Sequence, residues 1–345
     1  MFRKYLFAIV YSVLLTAFTV YVLMDTFVIT RVYSTVPAVE AGSAAAEADP
    51  APAEAEAADA TASAHAEAAA ADAAEEETGQ AAAGSEVIST PAQSSGSPAS
   101  QSPVSTATSY QDENITITLT EYREYDTSIY VADITLSSPE YLQTALAQNA
   151  YGRNVTEKTS EMAVENGAIL AINGDYYGSQ ESGYVLRNGV LYRDIAERGQ
   201  EDLVIYEDGS FEIITEDEVT AQELLDRRAV QILSFGPALV TGGDVSVTAG
   251  EEVGKARSSN PRTAIGMIDD LHYVFVVSDG RTDESEGLSL YQLAEFMSEL
   301  GAETAYNLDG GGSSSMVFNG NVINNPTTSG NRIKERSVSD IVYIG

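Results

Sequence analysis

The chain contains no cysteine, no tryptophan and only two histidines in 345 residues. Without cysteine, neither disulfides nor thiolate metal sites can hold the fold, so its hydrophobic core must be sufficient alone. His272 is the only histidine after the first hundred residues, and it lies in the apolar run LHYVFVV as an expected structural strand residue. A histidine-rich zinc site is therefore excluded, and a Ser-His-Asp triad would have to use His272 without any Gly-x-Ser-x-Gly motif. Acid and base chemistry must fall to carboxylates.

Basic residues are also scarce, with 18 Lys and Arg against 52 Asp and Glu, which gives a net charge of −34. Nucleic acid and anionic lipid head groups require a dense cationic surface, so neither is an expected partner. Residues 31–109 consist mostly of Ala, Glu, Ser, Pro and Thr, with no Lys or Arg between Arg31 and Arg123. Such a stretch buries no core and is predicted to be a disordered linker. We interpret it as a spacer through a cell-surface layer; a tail that serves solubility alone fits the composition equally.

A long hydrophobic run is present only near the N-terminus, where residues 5–24 are uncharged and overwhelmingly apolar. About 20 such residues cover the hydrocarbon core of a bilayer, so residues 1–30 are predicted to be a cytoplasmic stub and a transmembrane signal-anchor helix. Arg3 and Lys4 precede the run, which favours a single-pass protein of the cell membrane, N-terminus inside and the rest extracellular. The alternative is a cleaved signal peptide with a site near residues 44–46, although such peptides have shorter apolar cores.

Residues 110–345 are predicted to form one α+β domain. Alternating β-branched and aromatic residues, as in ITITLTEY and TSIYVADITL, are typical of half-buried strands. Asn188-Gly189, Asp208-Gly209 and Asn319-Gly320 each predict a tight hairpin turn. An amphipathic helix is expected over SLYQLAEFMSELGA, with Gly301 as its C-cap, and another near residues 158–166. The pattern indicates a largely antiparallel, hairpin-rich, twisted sheet with a few flanking helices.

Three predicted strands run into a carboxylate in a polar, glycine-containing loop, at Asp175, Asp279 and Asp309. Catalytic groups are often carried at such strand ends, so convergence of the three would create an acidic cleft. Asp-Gly and Asn-Gly-Asp are also ordinary turn sequences, in which the aspartate bonds its own backbone. The three together favour a functional site.

The loop after Asp309 contains Gly310, Gly311, Gly312 and then Ser313. Successive glycines let backbone N–H groups point into one concavity that binds anions, although the same run could be a tight turn between strands. Arginine forks suit phosphate or carboxylate, and Arg262, Arg281 and Arg336 lie near strand ends or candidate loops. Any metal would be held by oxygen ligands, which favours Ca²⁺ or Mg²⁺; the acids permit such a cofactor without requiring it.

Six separated pieces of the sequence, in order, resemble the phosphodiester glycosidase family. They are INGDYY at 172–177, FGPALV at 235–240, NPRTAIG at 260–266, VVSDGR at 276–281, NLDGGGSSSM at 307–316 and ERSVSD at 335–340. The resemblance covers roughly residues 150–345. It implies hydrolysis of the bond between the anomeric carbon of a sugar and a phosphate that is esterified on its other side.

The resemblance also implies a set of site residues. Those expected to take part in catalysis are Asp175, Asp279, Asp309 and Arg262; those expected to bind substrate are Asn173, Arg281, Asn307, Gly310, Gly311, Gly312 and Ser313. Arg336, which lies near a strand end or a candidate loop, is added to the residues expected to bind substrate. An extracytoplasmic hydrolase acting on sugar-1-phosphate diesters of a cell-wall or exopolysaccharide glycan is the leading hypothesis. A non-catalytic surface module that binds phosphoglycan is the alternative, and a structural spacer protein would leave the Asp-Gly-Gly-Gly loop unexplained.

Overall fold

The computed structural model describes residues 2–35, 103–250, 259–328 and 332–345. The α-helices are α1 (Phe2–Phe27), α2 (Thr159–Glu165), α3 (Ala221–Asp226) and α4 (Leu290–Glu299), and short 3-10 turns cover Pro139–Tyr141, Ala147–Asn149, Tyr177–Ser179 and Gly311–Ser313. The strands are β1 (Arg31–Thr35), β2 (Val104–Ser105), β3 (Ser109–Gln111), β4 (Ile115–Glu124), β5 (Thr127–Leu136), β6 (Leu142–Leu146), β7 (Ala150–Arg153), β8 (Glu157–Lys158), β9 (Leu170–Asn173), β10 (Gly183–Arg187), β11 (Val190–Ile195), β12 (Glu201–Tyr206), β13 (Phe211–Thr215), β14 (Ala229–Leu233), β15 (Ala238–Thr241), β16 (Asp244–Val245), β17 (Arg262–Asp269), β18 (His272–Ser278), β19 (Thr304–Leu308), β20 (Met316–Phe318), β21 (Asn321–Val322), β22 (Thr327–Thr328), β23 (Arg332–Ile333), β24 (Ser337–Val338) and β25 (Asp340–Ile344).

Three sheets form the body of the fold, and all their strand pairs are antiparallel. The largest has nine strands in the order β16-β15-β19-β17-β18-β5-β4-β3-β2. Two five-stranded sheets have the orders β11-β10-β14-β12-β13 and β21-β20-β9-β25-β6. The predicted antiparallel α+β class with few helices is confirmed.

The predicted turns form where the sequence placed them. Asn188-Gly189 joins β10 to β11 and Asn319-Gly320 joins β20 to β21, and all four residues have positive φ between 48° and 78°. Positive φ at both central positions matches the twist of a two-residue hairpin, and asparagine and glycine tolerate it best. Helix α4 starts at a capping box of Ser289 and Gln292 and ends before Gly301, whose φ is 87°.

The hydrophobic core has two main layers, one on each face of the nine-stranded sheet. On one face, residues such as Ile117, Phe275 and Tyr306 pack against β9 and β12 of the smaller sheets. On the opposite face, apolar residues of β5, β17 and β18 pack against the buried side of α4, which presents Leu293 and Met297. The large sheet is therefore covered on both faces, and the loops at its strand ends carry the candidate site.

The predicted N-terminal helix is present as α1, but its role as a membrane anchor is not supported. A span requires about 20 consecutive apolar residues. Within the described residues, no helix is both long enough and apolar enough to cross a membrane.

Both ends of the predicted linker, residues 31–109, form strands in the structure. Arg31–Thr35 is a strand that pairs antiparallel with β7, and Val104–Ser105 pairs with β3 at the edge of the large sheet. Val32, Tyr33 and Val104 are of residue types that favour strands. These short segments are strands because they pair with a neighbouring strand, and a local sequence pattern does not show that pairing. Residues 36–102, which hold most of the predicted linker, lie outside the described residues.

Candidate active site

Asn173, at the end of β9, connects this strand to the glycine-rich loop. Its side chain is fully buried, and its Nδ2 donates to the Asp309 carbonyl at 2.6 Å. Its Oδ1 accepts from Thr263 Oγ1 at 2.8 Å and from the Ser315 amide at 3.2 Å. A buried amide with both ends satisfied holds neighbouring loops in register. Asn173 therefore positions the loop rather than facing an open cavity.

Asp175 lies two residues further on and belongs to a buried ion cluster. Its Oδ2 accepts from Arg187 Nη2 at 2.7 Å and from the Ser234 amide at 2.9 Å, and Oδ1 accepts from the Tyr177 amide at 2.9 Å. The side chain is only 1% exposed. These bonds hold the Asp175 carboxylate in place, and a substrate would have to displace Arg187 to reach it.

The same guanidinium holds a second carboxylate, Asp340, which begins β25. Arg187 Nε and Nη2 donate to Asp340 Oδ2, and both side chains are buried. Burial, reinforced by the charge of Asp175, raises the pKa of Asp340 to about 8. Burial opposes the charged form of Arg187, but the two carboxylates outweigh it and raise the pKa of the guanidinium. The three residues form a cluster with one positive charge and two carboxyl groups.

Sequence reasoning did not identify Arg187 or Asp340 as site residues. A signal for Arg187 was available, because it ends the continuous apolar run YVL, and such runs are typical of strands buried on both faces, as β10 is. An arginine on an inward-facing strand position requires buried counter-ions. Gly174 shows the closeness of the packing, since an added Cβ would come within 2.4 Å of Asp340 Oδ1.

Asp309 follows β19 and is the acid that lies beside a partly exposed cation. Its Oδ2 accepts from Arg336 Nη2 at 2.7 Å and from Ser313 Oγ, and Ser313 Oγ also accepts from Arg336 Nε at 3.0 Å. The side chain of Arg336 is 42% exposed and that of Asp309 is 12% exposed. Burial raises the pKa of Asp309, Arg336 and Ser313 oppose that shift, and the charge of Asp175 adds to it. Asp309 and Asp175 are therefore within electrostatic reach of each other.

Part of the glycine loop, Gly311–Ser313, is a 3-10 turn, and three amides of the loop already have acceptors. The Ser313 and Ser314 amides donate within the loop at 3.3 Å, as 3-10 geometry requires, and the Gly311 amide donates to the Pro261 carbonyl at 2.8 Å. An anion-binding concavity formed by the amides of the glycine run stays a prediction.

Two further arginines flank the loop. Arg281 has a φ of 63°, and its Nε and Nη2 donate to Asn260 Oδ1 at 3.2 and 3.0 Å. Gly311 lies against it so closely that an added Cβ would be 2.7 Å from Arg281 Nη2. Arg262 starts β17, is almost fully buried, and donates from Nε to the Leu288 carbonyl at 2.9 Å.

Asp279, after β18, has a different set of partners. Its oxygens accept from the amide and side chain of Asn325 at 2.7 and 3.0 Å and from the Tyr130 hydroxyl at 3.4 Å. Burial first, and then the charge of Asp279, raise the pKa of Tyr130. Asp279 lines a cavity of about 310 Å³ together with Arg123, Thr282 and Ser285. Asn324 Nδ2 donates to Asp279 Oδ1 at 3.4 Å and to the Ser314 carbonyl at 3.0 Å, so one side chain links Asp279 to the loop that follows Asp309. Convergence of the three acids in one cleft stays a prediction.

The remaining predicted residue, Asn307, lies inside β19. Its Nδ2 donates to the Gly236 carbonyl at 2.7 Å, and its buried Oδ1 has no hydrogen-bond partner among the described residues. Within the same part of the chain, no three acids or histidines are grouped so that they could hold a metal ion.

The fold and these contacts define an antiparallel α+β protein whose candidate chemistry is carried by carboxyl and guanidinium groups. A family model for phosphodiester glycosidases matches residues 166–345. The SPbeta prophage-derived uncharacterized protein YomE of Bacillus subtilis (strain 168) is 30% identical over 180 residues, which cover 51% of this chain and 28% of that protein. N-acetylglucosamine-1-phosphodiester alpha-N-acetylglucosaminidase of Mus musculus is 28% identical over 184 residues, covering 48% and 35%.

Among solved structures, the catalytic domain of the zebrafish N-acetylglucosamine-1-phosphodiester alpha-N-acetylglucosaminidase matches with a TM-score of 0.53 and 21% identity, over 67% of this chain and 82% of that one. At this identity the match shows a shared fold. The chain spans about a third of the length of the curated relatives it matches. Since the family model covers just over half of the sequence, the chain belongs to the phosphodiester glycosidase family. The predicted family is thereby confirmed.

Proposed function

We propose that this chain hydrolyses the bond between the anomeric carbon of a sugar and a phosphate that carries a second ester. The observation that supports this most directly is the pairing of Asp309 with Arg336. A guanidinium that is 42% exposed lies 2.7 Å from a carboxyl whose pKa is raised by burial. An arginine fork reachable from solvent binds phosphate well, and a carboxyl beside it is suited to act at the adjoining anomeric carbon. The mouse relative is named for a substrate of this class.

Arg336 holds the phosphate, and the C–O bond breaks with its electron pair moving to the departing phosphate oxygen. A phosphate monoester is a good leaving group, so stabilising its negative charge matters more than protonating it. Arg281, held by Asn260 beside Gly311, adds positive charge on the same side of the loop. Asp309 acts at the anomeric carbon, either as nucleophile or as base to an attacking water.

Asp175 has a positioning role in this proposal. Its carboxylate is bound by Arg187 and by the Ser234 and Tyr177 amides, and its negative charge adds to the rise in the pKa of Asp309 that burial causes. Asn173 fixes the backbone of Asp309 from the same strand end. Together they orient the reacting acid.

We further propose that the substrate is a phosphate-containing glycan of a cell wall or exopolysaccharide, processed outside the cytoplasm. Residues 31–109, with their Ala, Ser, Pro and Thr content, suit a cell-surface setting. Protease treatment of intact cells tests the location: digestion without lysis supports it, and digestion only after lysis refutes it.

Release of reducing sugar from a panel of sugar-1-phosphate diesters tests the activity. The full chain is compared with Asp309→Asn and with the control Asp133→Asn, an acid whose side chain is 53% exposed and hydrogen-bonds to His272. Turnover that is lost in Asp309→Asn and retained in Asp133→Asn supports the proposal. Tight binding of the same diesters without turnover in any form would identify a phosphoglycan-binding module instead.

A further inference from the structure

A second cavity, away from Asp309 and Arg336, lies between β1, β7 and the β10–β11 hairpin. Its volume is about 360 Å³, near the lower end of the roughly 300–1,000 Å³ typical of small-ligand pockets, which suits a single sugar unit. Four tyrosines, three arginines and two acids line it, among them Tyr33, Tyr151, Tyr177, Tyr192, Arg153 and Arg193.

The tyrosines form a connected aromatic wall. Tyr151 is at its centre, with ring centroids 5.8 Å from Tyr33, 5.0 Å from Tyr192 and 5.5 Å from Tyr177. Tyr33 is 59% exposed, whereas Tyr151 and Tyr177 are buried behind it. A pyranose ring has apolar C–H faces that pack against aromatic rings, and such rings lose little entropy because they are already held by their neighbours.

Arg193 gives the cavity a buried positive charge without a carboxylate partner among the described residues. Its Nε donates to the Gly183 carbonyl at 2.7 Å, and its Nη1 donates to the carbonyls of Tyr177 and Gln180 at 3.1 and 2.7 Å. The residue is 8% exposed, and its Nη2 has no acceptor within the part of the chain that the structure describes. Three carbonyl dipoles compensate a full charge only in part.

Arg153, which also lines the cavity, has a carboxylate partner but likewise has one buried donor that no described residue satisfies. Its Nη1 pairs with Glu181 at 2.5 Å, but its buried Nε lacks an acceptor among the described residues. Two arginines therefore contribute unsatisfied buried donors beside the same aromatic surface. Buried donors without acceptors are rare in proteins and usually indicate a missing partner.

We propose that this cavity binds a sugar unit that carries a phosphate or carboxylate, with its ring against Tyr33 and Tyr192 and its anionic group directed toward Arg153 and Arg193. A neutral sugar would leave the Arg193 guanidinium without an anionic partner, and a small inorganic anion would leave the tyrosine faces uncovered. The preferred ligand is therefore an anionic pyranose. This site is independent of the proposed hydrolysis at Asp309.

The absence of tryptophan from the chain allows a local test. Tyr33→Trp would introduce a single tryptophan at the cavity. Tyr291→Trp provides a matched control, because Tyr291 lies on α4 and does not line the cavity. Emission is titrated with glucose 1-phosphate, glucuronate, glucose and inorganic phosphate. We expect saturable changes in Tyr33→Trp with the first two ligands, at concentrations about tenfold below any response to glucose or phosphate. No change is expected in Tyr291→Trp.

Adding Arg153→Gln to the reporter removes one donor while leaving the exposed Glu181 in water, and should weaken binding about tenfold. Equal changes in emission with glucose 1-phosphate and glucuronate would show that the cavity accepts either anionic group on a pyranose. A change with only one of them would show which anionic group the cavity binds. An equal response to glucose, an unchanged midpoint with Arg153→Gln, or no response to any ligand would overturn the proposal. Diester hydrolysis measured in the same variants should be unchanged, which separates this test from that of Asp309.

Discussion

Arg187 donates two hydrogen bonds to the same oxygen of Asp340, from Nε at 2.9 Å and from Nη2 at 2.7 Å. Because the guanidinium also binds Asp175, it connects β10 to the loops at the ends of β9 and β25. Removing it would leave two carboxyl groups buried without a cation.

We expect Arg187→Gln to lower the free energy of unfolding by about 3–5 kcal/mol, the usual cost of breaking a buried ion pair by removing one partner. Urea denaturation measures this. Arg228→Gln is the matched control, since the Arg228 side chain is 76% exposed in its pair with Glu207, and its loss should cost less than about 1 kcal/mol. Equal losses in the two variants would show that the cluster does not stabilise the fold.

The raised pKa of Asp340 predicts a pH dependence of stability. The folded-state value of about 8 lies above an unfolded value of roughly 3.9, so the folded protein retains a proton that the unfolded chain has released. The contribution of this group is therefore full at low pH, and it falls as pH rises toward 8, by up to about 1.4 kcal/mol per pH unit. Asp340→Asn, which mimics the protonated form, should lack this component. Unfolding curves at pH 5, 7 and 9 measure it; parallel profiles for both proteins would contradict the assignment.

Gly311 and Gly320 allow the role of the glycine loop to be separated from backbone strain. Both have positive φ, 65° and 75°, so alanine costs a similar roughly 1–2 kcal/mol at either position. A Cβ at Gly320 meets nothing within 4 Å, whereas at Gly311 it meets the Arg281 guanidinium. Gly311→Ala should reduce kcat/KM at least about tenfold relative to Gly320→Ala, because Arg281 is displaced. Similar activities would remove Arg281 from the site.

Arg336→Lys tests whether the guanidinium fork matters beyond its charge. Arg336 contacts Asp309 and Ser313 through two nitrogens, a geometry that one ammonium group does not reproduce. We expect kcat/KM for a sugar-1-phosphate diester to fall by about tenfold to a hundredfold, equivalent to roughly 1.4–2.7 kcal/mol. Arg332→Lys, at an exposed position four residues earlier, should have no effect. A fully active Arg336→Lys would show that a positive charge alone is sufficient.

The local structure of the domain could largely be predicted from the sequence. The turns at Asn188-Gly189 and Asn319-Gly320 and the helix ending at Gly301 depend on short-range backbone preferences, which a single sequence displays directly. The positions of Asp175, Asp279 and Asp309 at strand ends could also be predicted, because each follows an apolar strand segment and precedes a polar loop. Which strands become neighbours depends on contacts between distant residues, and no short pattern contains that information.

This limit explains why the site was only partly anticipated. Asp175 and Asp309 approach each other because β9 and β19 bring their ends together, while Asp279 turns toward Asn325 from the following segment. Asp340 lies 153 residues from Arg187, and their pairing depends on β25 lying beside β9. Asp175 and Asp340 thus share a buried cluster with Arg187, whereas Asp309 pairs with the partly exposed Arg336. This division depends on how distant strands are arranged in the fold.

The pairing of β1 with β7 changes how the N-terminal region is connected to the rest of the molecule. Only residues 28–30 separate α1 from β1, and Thr30 Oγ1 donates to the Asn154 carbonyl at 3.2 Å while Asn154 Nδ2 donates to the Ile29 carbonyl at 3.0 Å. The connection between α1 and the paired strand β1 is therefore three residues long and hydrogen-bonded to Asn154, whatever the number of residues between β1 and β2. Proteolytic cleavage at one site within residues 36–102 would produce two fragments, and the N-terminal fragment would remain paired with β7 through β1.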